Sequence, residues 1–281
     1  MAKPPPVTLG GYWINDYKKP PACNEGTTHY CDDLVDGFVG AMRSRGHRSV
    51  VIRAEGAASP RQWRRATDSD PNGVDTVEFG FLATHGATRG KERSGGGWVH
   101  WVVATFNSPD GCRVTTLDLG PNGQPVDLNN PTAAMRLGDG NLRWVVLDLC
   151  RSVQIRHENE KKLGQFPDLA LELRDANPGL TWNRCFAGVH IIFGFTGLSS
   201  DAWWTSDRGE SFGRRAGAGE ALAESWLDEA YSSACDDAPA ALAWGRSEDD
   251  ARRRLNSESL AQPEPTLAPA EATVTHVMWR S

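Results

Sequence analysis

Strand-like apolar runs alternate with helix-like stretches along most of this 281-residue chain, and this alternation constrains the fold more than any other feature. Five runs read as core strands, at residues 11–17, 48–54, 77–84, 142–149 and 188–195. Apolar residues recur at helical spacing over 30–46 and 219–231, and Ser59-Pro60 has the cap-then-proline pattern that opens a helix. The alternation predicts an α/β sandwich with a mostly parallel central sheet.

Two further segments, WVHWVVATF and CRVTTLDL, alternate apolar and polar residues around the turn Ser108-Pro109-Asp110-Gly111. They predict a β-hairpin inserted between core strands at about 96–119. The stretch 262–272 is rich in Pro, Ala and Glu, which is typical of a loose segment, and a short strand follows at 273–279. We therefore expect one α/β domain over 1–261 and a terminal segment over 262–281.

Composition narrows the class of protein. There are 30 basic and 36 acidic residues, a net charge of −6, so the basic excess of a nucleic-acid-binding protein is missing. The sequence contains no apolar run of about 20 residues, which argues against a membrane-spanning helix. Because no secretory signal is visible at the start, we expect a cytoplasmic protein whose six cysteines are free thiols.

Two predicted core strands end in reactive residues. FGFLAT runs into His85-Gly86, and WVVLDL runs into Cys150. In a parallel sheet both would lie at the carboxyl edge, where open α/β sheets place their sites. Neighbouring strands are about 4.8 Å apart, so one pocket can hold both side chains.

A thiol and an imidazole in one pocket are the two catalytic groups that a cysteine hydrolase needs. The thiolate attacks a carbonyl, and the imidazole supplies a proton to the leaving group. Gly86 has no Cβ, so a substrate carbonyl can approach, and its N–H can form an oxyanion hole with that of Cys150. The alternatives are a structural Cys150, since free cysteine packs as a small hydrophobe, and a capped or solvated His85.

The order of these segments resembles the caspase-like cysteine peptidase superfamily, which includes metacaspases, clostripain and gingipains. The resemblance rests on FLATHG, GDGNLRWVVLDLC and WNRCFAGVHIIFGF, covers about residues 11–231, and points to an uncharacterised bacterial branch. It implies a caspase-like three-layer sandwich. It also implies that His85 is the general acid/base, that Cys150 is the nucleophile and that Gly86 is an oxyanion donor.

The resemblance further implies substrate-binding residues. Asp148 stands where metacaspases and clostripain use an aspartate to build an acidic pocket for Arg or Lys; alternatively, it accepts hydrogen bonds from the backbone or from an Arg. Asp201 is a second candidate for that pocket. Trp203 and Trp204 follow the fifth strand, where they either grip an apolar or flat group or fold back on the core. Arg151 begins the segment that replaces the small Ser-Gly turn of metacaspases.

Metal motifs are weak. The segment from Asp68 to Gly73 opens like a calcium loop but has Phe79 at the twelfth position. Cys23, His29 and Cys31 lack the paired spacing of a zinc site, so we predict neither a metal nor a cofactor.

The sequence therefore predicts a cysteine-dependent hydrolase, most simply a peptidase that cleaves after a basic residue through a thioester. One alternative is a biosynthetic enzyme that uses the same fold for small-molecule acyl transfer, cyclisation or amide hydrolysis. The other is a non-catalytic binding module. The expected partner is a peptide or a small-molecule acyl substrate.

Overall fold

The computed structural model describes residues 4–18, 23, 25–64, 70–129, 131–155, 173, 175–231 and 238–280. Within these ranges the strands are β1 Thr8–Trp13, β2 Arg48–Ala54, β3 Phe79–Ala83, β4 Gly86–Glu92, β5 Trp98–Ser108, β6 Gly111–Thr115, β7 Trp144–Asp148, β8 Ile191–Phe195, β9 Pro239–Gly245 and β10 Val274–Trp279. The α-helices are α1 Cys31–Ser44, α2 Pro178–Trp182, α3 Arg208–Gly217, α4 Leu222–Glu229 and α5 Glu248–Ser257. Short 3-10 helices cover Glu55–Ala57, Pro60–Trp63 and Val74–Thr76.

Seven strands form one sheet in the order β10-β9-β8-β7-β3-β1-β2. Five neighbouring strands of this sheet run parallel, namely β2, β1, β3, β7 and β8. At the other edge, β9 is antiparallel to β8, and β10 is antiparallel to β9. The chain steps from β1 to β2 on one side and then to β3 on the other side of β1. Open α/β sheets bind ligands outside the carboxyl ends of the strands at such a reversal. The predicted α/β class with a mostly parallel sheet is confirmed.

The two faces of this sheet carry separate cores, as the period-2 alternation of a strand requires. In β3, Phe79 and Phe81 pack with the buried faces of α1, α3 and α4, whereas Leu82 packs on the opposite side. That opposite side is covered by β5 and β6 together with Trp63 and Trp182. The strand ends therefore emerge between a helical layer and a layer built largely from β-structure.

The predicted hairpin is β5–β6, and it lies between core strands β3 and β7 as expected. A third strand, β4, pairs antiparallel with β5, so the insertion is a three-stranded sheet. Val102, Ala104 and Phe106 point from β5 into the core. β4 starts at Gly86, directly after His85, so the small sheet is joined to the candidate site.

Two predicted elements differ from the structure. The first strand is Thr8–Trp13 rather than 11–17. Ser59-Pro60 opens only the 3-10 helix Pro60–Trp63, because the chain is already extended at Arg64, which bridges to Met135. The cap itself is present: Ser59 Oγ accepts from the N–H of Arg61 at 3.2 Å.

The segment after residue 262 belongs to the fold. β10 pairs with β9 at the edge of the large sheet, and Leu267 is buried. The predicted short strand over 273–279 is β10, and residues 262–272, predicted to be loose, form neither helix nor strand. No helix among the described residues is both long and apolar enough to cross a membrane.

Candidate active site

His85 and Cys150 leave neighbouring strands at the same edge of the sheet. Ala83 of β3 pairs with Asp148 of β7, and each candidate residue lies two positions beyond its paired neighbour. The N–H of Thr84 donates to the carbonyl of Asp148 at 3.2 Å, so the chains are still side by side where the strands end. The structure thus brings the two backbone segments together at the carboxyl edge, next to the reversal at β1.

Gly86 packs against the residue that precedes Cys150. A Cβ at Gly86 would collide with the side chain of Leu149 and would lie 2.8 Å from the carbonyl oxygen of Val103. Two residues further along β4, the hydroxyl of Thr88 donates to the carbonyl of Arg151. Glycine is therefore required at 86 by the close approach of the His85 and Cys150 segments.

The chain turns sharply at Cys150. The N–H of Leu149 donates to the carbonyl of Leu147 at 2.9 Å, which ends the strand immediately after Asp148. Arg151 then has a φ of 56°, in the left-handed region that a non-glycine residue rarely adopts. Its N–H donates to the carbonyl of Gly197 at 2.6 Å, which holds this conformation. Backbone strain of this kind is concentrated at functional sites in proteins.

The imidazole of His85 is oriented by a backbone carbonyl. Its Nε2 lies 2.7 Å from the carbonyl oxygen of Gly26, and its ring stacks at a tilt on Tyr17 with centroids 5.1 Å apart. Because a carbonyl only accepts, Nε2 carries the hydrogen in the neutral ring and Nδ1 is left as the acceptor. The Tyr17 hydroxyl accepts from the N–H of His85 at 3.2 Å, and burial raises the pKa of that hydroxyl.

The Cys150 sulfur lies against the loop that follows β8. The N–H of Ser199 points at Sγ from 3.4 Å, and Sγ lies 3.7 Å from the carbonyl oxygen of the same residue. Cys150 is half-buried, whereas Cys31 and Cys185, the other free cysteines of the described chain, are buried. Burial raises the pKa of the Cys31 thiol, which keeps it in the unreactive protonated form. Cys150 is thus the free thiol best placed to react.

Residues 12–281 match the sequence model of a family described as a domain of unknown function, DUF6345. The match covers nearly the whole chain. This protein belongs to the DUF6345 family. A search of the curated proteins found no match.

In this DUF6345 chain, the carboxylate of Asp148 forms a salt bridge with Arg208. Its two carboxylate oxygens accept from Nε and Nη2 of Arg208 at 2.8 and 2.6 Å, and one also accepts from the hydroxyl of Ser199. The cause is strand parity: Asp148 points, like Trp144, to the helical face, where Arg208 begins α3. Both partners are buried. Of the two roles considered for Asp148, this geometry matches hydrogen bonding to an Arg.

Asp201 links two segments that border the site. Its carboxylate accepts from the N–H groups of His29 and Tyr30 at 2.7 and 2.9 Å, which ties the loop after β8 to the segment 25–30. The same segment carries Gly26, the partner of His85. Asp201 therefore holds the loop that orients the imidazole, and its charge serves backbone donors.

Trp203 and Trp204 remain at the surface, in the loop that also contacts Cys150. Their side chains are 69% and 51% exposed, and their rings meet edge to face with centroids 5.5 Å apart. They do not fold back on the core. They present an apolar, aromatic surface on the wall formed by the loop after β8, a few residues from Ser199.

The expectation of free thiols is wrong for one pair, because Cys23 and Cys112 form a disulfide. It joins the chain just before the segment 25–30 to strand β6, so it anchors that segment at one end while Asp201 anchors it at the other. Disulfides persist mainly in oxidising compartments, which weighs against the predicted cytoplasmic location. Cys235 and Asp68 lie outside the described residues.

A groove of about 860 Å³ opens beside His85 and Gly86. Its floor is the outer face of β4, β5 and β6, and the chain around Leu119 and Gly123 lies along its rim. Cys150 is not among the residues that line the groove, whereas His85 is. The volume is within the range of about 300–1,000 Å³ that small-ligand sites occupy.

Sequence reasoning missed the groups that orient the dyad. Gly26 contributes a carbonyl, which every residue possesses, so no residue type marks it. Ser199 likewise contacts the sulfur of Cys150 through its own backbone N–H and carbonyl. Tyr17 was assigned to the end of the first strand, and it lies beyond it, beneath His85.

Proposed function

We propose that this protein is a cysteine-dependent hydrolase with a caspase-like arrangement, in which Cys150 is the nucleophile and His85 the general acid/base. The observation that carries the proposal is the delivery of a half-buried thiol and an oriented imidazole by neighbouring parallel strands to one sheet edge. The reversal of strand order at β1 supports it, since ligand sites in such sheets lie at this position.

Each group has a role that its surroundings favour. Nδ1 of His85 removes the proton of the Cys150 thiol, since Nε2–H is held by Gly26. The N–H of Ser199 faces the sulfur and stabilises the thiolate. The thiolate adds to the substrate carbonyl, and the N–H groups of Gly86 and Cys150 donate hydrogen bonds to the oxyanion that forms.

The intermediate collapses with the proton on Nδ1 passing to the leaving amine, so the C–N bond breaks and a thioester on Cys150 remains. Water then attacks the thioester while His85 takes one of its protons. That proton returns to the departing sulfur, and the product leaves as a carboxylic acid. No metal or cofactor enters these steps.

The preference for a basic residue depended on Asp148 as an open acidic pocket. Because Arg208 donates to both oxygens of Asp148, this carboxylate does not form an open acidic pocket for Arg or Lys. The exposed Trp203–Trp204 pair favours a second candidate, the same dyad acting on a small acyl substrate with a flat or apolar group. Aromatic faces provide large contact areas for such groups.

The test uses peptidyl acyloxymethyl ketones that carry Lys, Gln or Glu next to the reactive carbon. We expect mass spectrometry to locate one adduct, on Cys150, and His85→Ala to slow its formation about 100-fold or more. Cys185→Ser is the matched control, since Cys185 is buried, and it should label normally. Failure of every probe, with iodoacetamide also reacting no faster at Cys150 than at Cys185, would reject the dyad.

A further inference from the structure

The charge of the groove beside His85 differs from that of the protein. The chain carries a net charge of −6, yet three arginines line this one groove: Arg64, Arg89 and Arg113. All three are exposed at the protein surface. Among the described residues of the lining, Glu25 and Asp118 are the acidic ones, so three guanidinium groups stand against two carboxylates. A cleft lined mainly by one sign of charge concentrates ligands of the opposite sign.

The acidic residues already have donors. The carboxylate of Glu25 lies 3.4 Å from Nη2 of Arg113, and that of Asp118 accepts from the hydroxyl of Thr132 at 2.6 Å. Asp148, the residue from which the sequence predicted an acidic pocket, is paired with Arg208 on the helical face. In the described lining, Glu25 and Asp118 can balance two of the three guanidinium charges.

Strand parity directs the arginines into the groove. Apart from Val114, the side chains that the small sheet contributes to the lining are odd-numbered, among them Arg89, Trp101, Val103, Thr105 and Arg113. Even-numbered neighbours such as Val102 and Ala104 point into the core. This alternation is fixed by the pleat, so Arg89 and Arg113 share one face. Both side chains project from strands that pair with β5.

Their distances from the dyad suit a substrate that extends past the reacting bond. The carbonyl of His85 accepts from the N–H of Thr105 at 2.9 Å, and Thr105 pairs with Arg113. The backbone of Arg113 is thus two strand spacings, about 10 Å, from that of His85. Arg89 lies four residues after His85 in the chain, which corresponds to about 14 Å of extended backbone. An anionic group two to four residues from the scissile bond would meet these guanidinium groups.

We propose that this groove binds the carboxylate groups of an acidic acyl substrate, with Arg89 and Arg113 as the main specificity-determining residues and Arg64 at the rim. The inference deepens the proposed function, on which its catalytic meaning rests. Guanidinium groups suit it because their donors match a carboxylate in a bidentate manner. The substrate class is thereby a peptide, or a peptide-like acyl compound, with Glu or Asp flanking the bond that is cleaved.

Equilibrium binding tests the groove separately from catalysis. The full chain with Cys150→Ala is titrated into capped hexapeptides that carry a neutral dye and contain two Glu, two Gln or two Lys residues, and anisotropy is recorded. At about 50 mM salt we expect the Glu peptide to bind at least tenfold more tightly than the Gln peptide. Salt at about 0.5 M should remove most of that difference, because it screens exposed charges.

Arginine variants locate the effect. Arg89→Gln with Arg113→Gln should weaken binding of the Glu peptide about tenfold and leave the Gln peptide unchanged. Arg252→Gln is the matched control, since Arg252 is an exposed arginine on α5 that pairs with Glu248. Equal affinity for Glu and Gln peptides, tighter binding of the Lys peptide, or an unchanged affinity in the double variant would overturn the inference.

The binding result and the catalytic result can disagree informatively. Tight, arginine-dependent binding of the Glu peptide without any labelling of wild-type Cys150 would retain the groove and reject the hydrolase. Labelling of Cys150 without a preference for the Glu peptide would retain the hydrolase and reject the acidic substrate.

Discussion

The two ends of the parallel strands use the same residue type in opposite ways. At the carboxyl end, His85 is partly exposed, with Nε2 on Gly26 and its ring bordering an open groove. At the amino end, His190 is 1% exposed, and both ring nitrogens have partners, Glu258 at 2.5 Å and Thr266 at 2.9 Å. A histidine with both nitrogens satisfied and no access to solvent holds a structure together. One with a free acceptor at an open edge can transfer protons.

The strongest test of this comparison is a matched pair of substitutions. His85→Ala should lower the rate of hydrolysis about 10²- to 10⁴-fold, which is the usual contribution of a positioned acid/base. Its melting temperature should change by only a few degrees, because His85 is partly exposed. Turnover of the best acidic or neutral peptide, followed by chromatography, measures the first effect, and calorimetry measures the second.

His190→Ala should give the opposite result. It removes a buried hydrogen-bond partner of Glu258, which keeps the indole N–H of Trp144 at 3.0 Å and the buried guanidinium of Arg254 at 4.0 Å. Loss of a buried hydrogen bond to a charged group costs about 1.5–3 kcal/mol of the free energy of unfolding. Hydrolysis per folded molecule should stay near the wild-type rate. The comparison breaks if His190→Ala abolishes turnover in protein that calorimetry shows to be folded.

A second large effect is expected at the Asp148–Arg208 pair. Arg208→Ala leaves a buried carboxylate without its counter-ion, so we expect a loss of about 3–5 kcal/mol in chemical denaturation. Replacing both residues, with Asp148→Leu and Arg208→Met, removes both charges and should recover most of that loss. If the double variant is as unstable as the single one, the unpaired charge of Asp148 is not what destabilises the Arg208→Ala variant.

How far the sequence predicts this molecule depends on the kind of signal each element carries. The buried strands β3, β7 and β8 are recognisable because both faces are covered and the runs are apolar. β4 was missed because GATRGKE shows no apolar alternation; its floor residues face a groove. β9 was missed because PAALAWG is rich in alanine and begins with Pro, yet it is buried throughout between β8 and β10.

The helices α3 and α5 were missed for a related reason. Their sequences, RGESFGRRAG and EDDARRRLNS, are dominated by charged and small residues, and each buries only a narrow stripe. Glycines of α3 sit against α1: a Cβ at Gly209 or Gly213 would strike the backbone of that helix. Close helix contact through glycine lowers the apolar signal on which sequence reasoning depends. The positions of His85 and Cys150 were predictable because they follow strongly apolar strands.

The disulfide gives a prediction of intermediate size at the carboxyl edge. Cys23→Ser with Cys112→Ser releases one end of the segment that holds His85, and it opens a loop with a sequence separation of 89 residues. Cross-links of this kind are worth about 2–4 kcal/mol. We expect that loss in denaturant titrations, together with slower labelling of Cys150. Unchanged labelling would show that the hydrogen bonds of the segment, to Asp201 and to the carbonyls of Ile14 and Asn15, hold it in place without the disulfide.

The smallest expected effect distinguishes the two ends by pH. Asp75 lies just before β3, at the amino end, where Oδ1 accepts from the N–H of Gly138 at 2.7 Å. Burial raises the pKa of this carboxyl to about 6. Because the folded-state value exceeds the unfolded one, the protonated carboxyl stabilises the fold below about pH 4, and that contribution is lost as the pH rises to about 6. Its size is of order 1–3 kcal/mol, at 1.36 kcal/mol per pKa unit.

Asp75→Asn should flatten the dependence of the unfolding free energy on pH over this window and leave the pH profile of Cys150 labelling unchanged. A shifted labelling profile would mean that the amino end titrates together with the dyad.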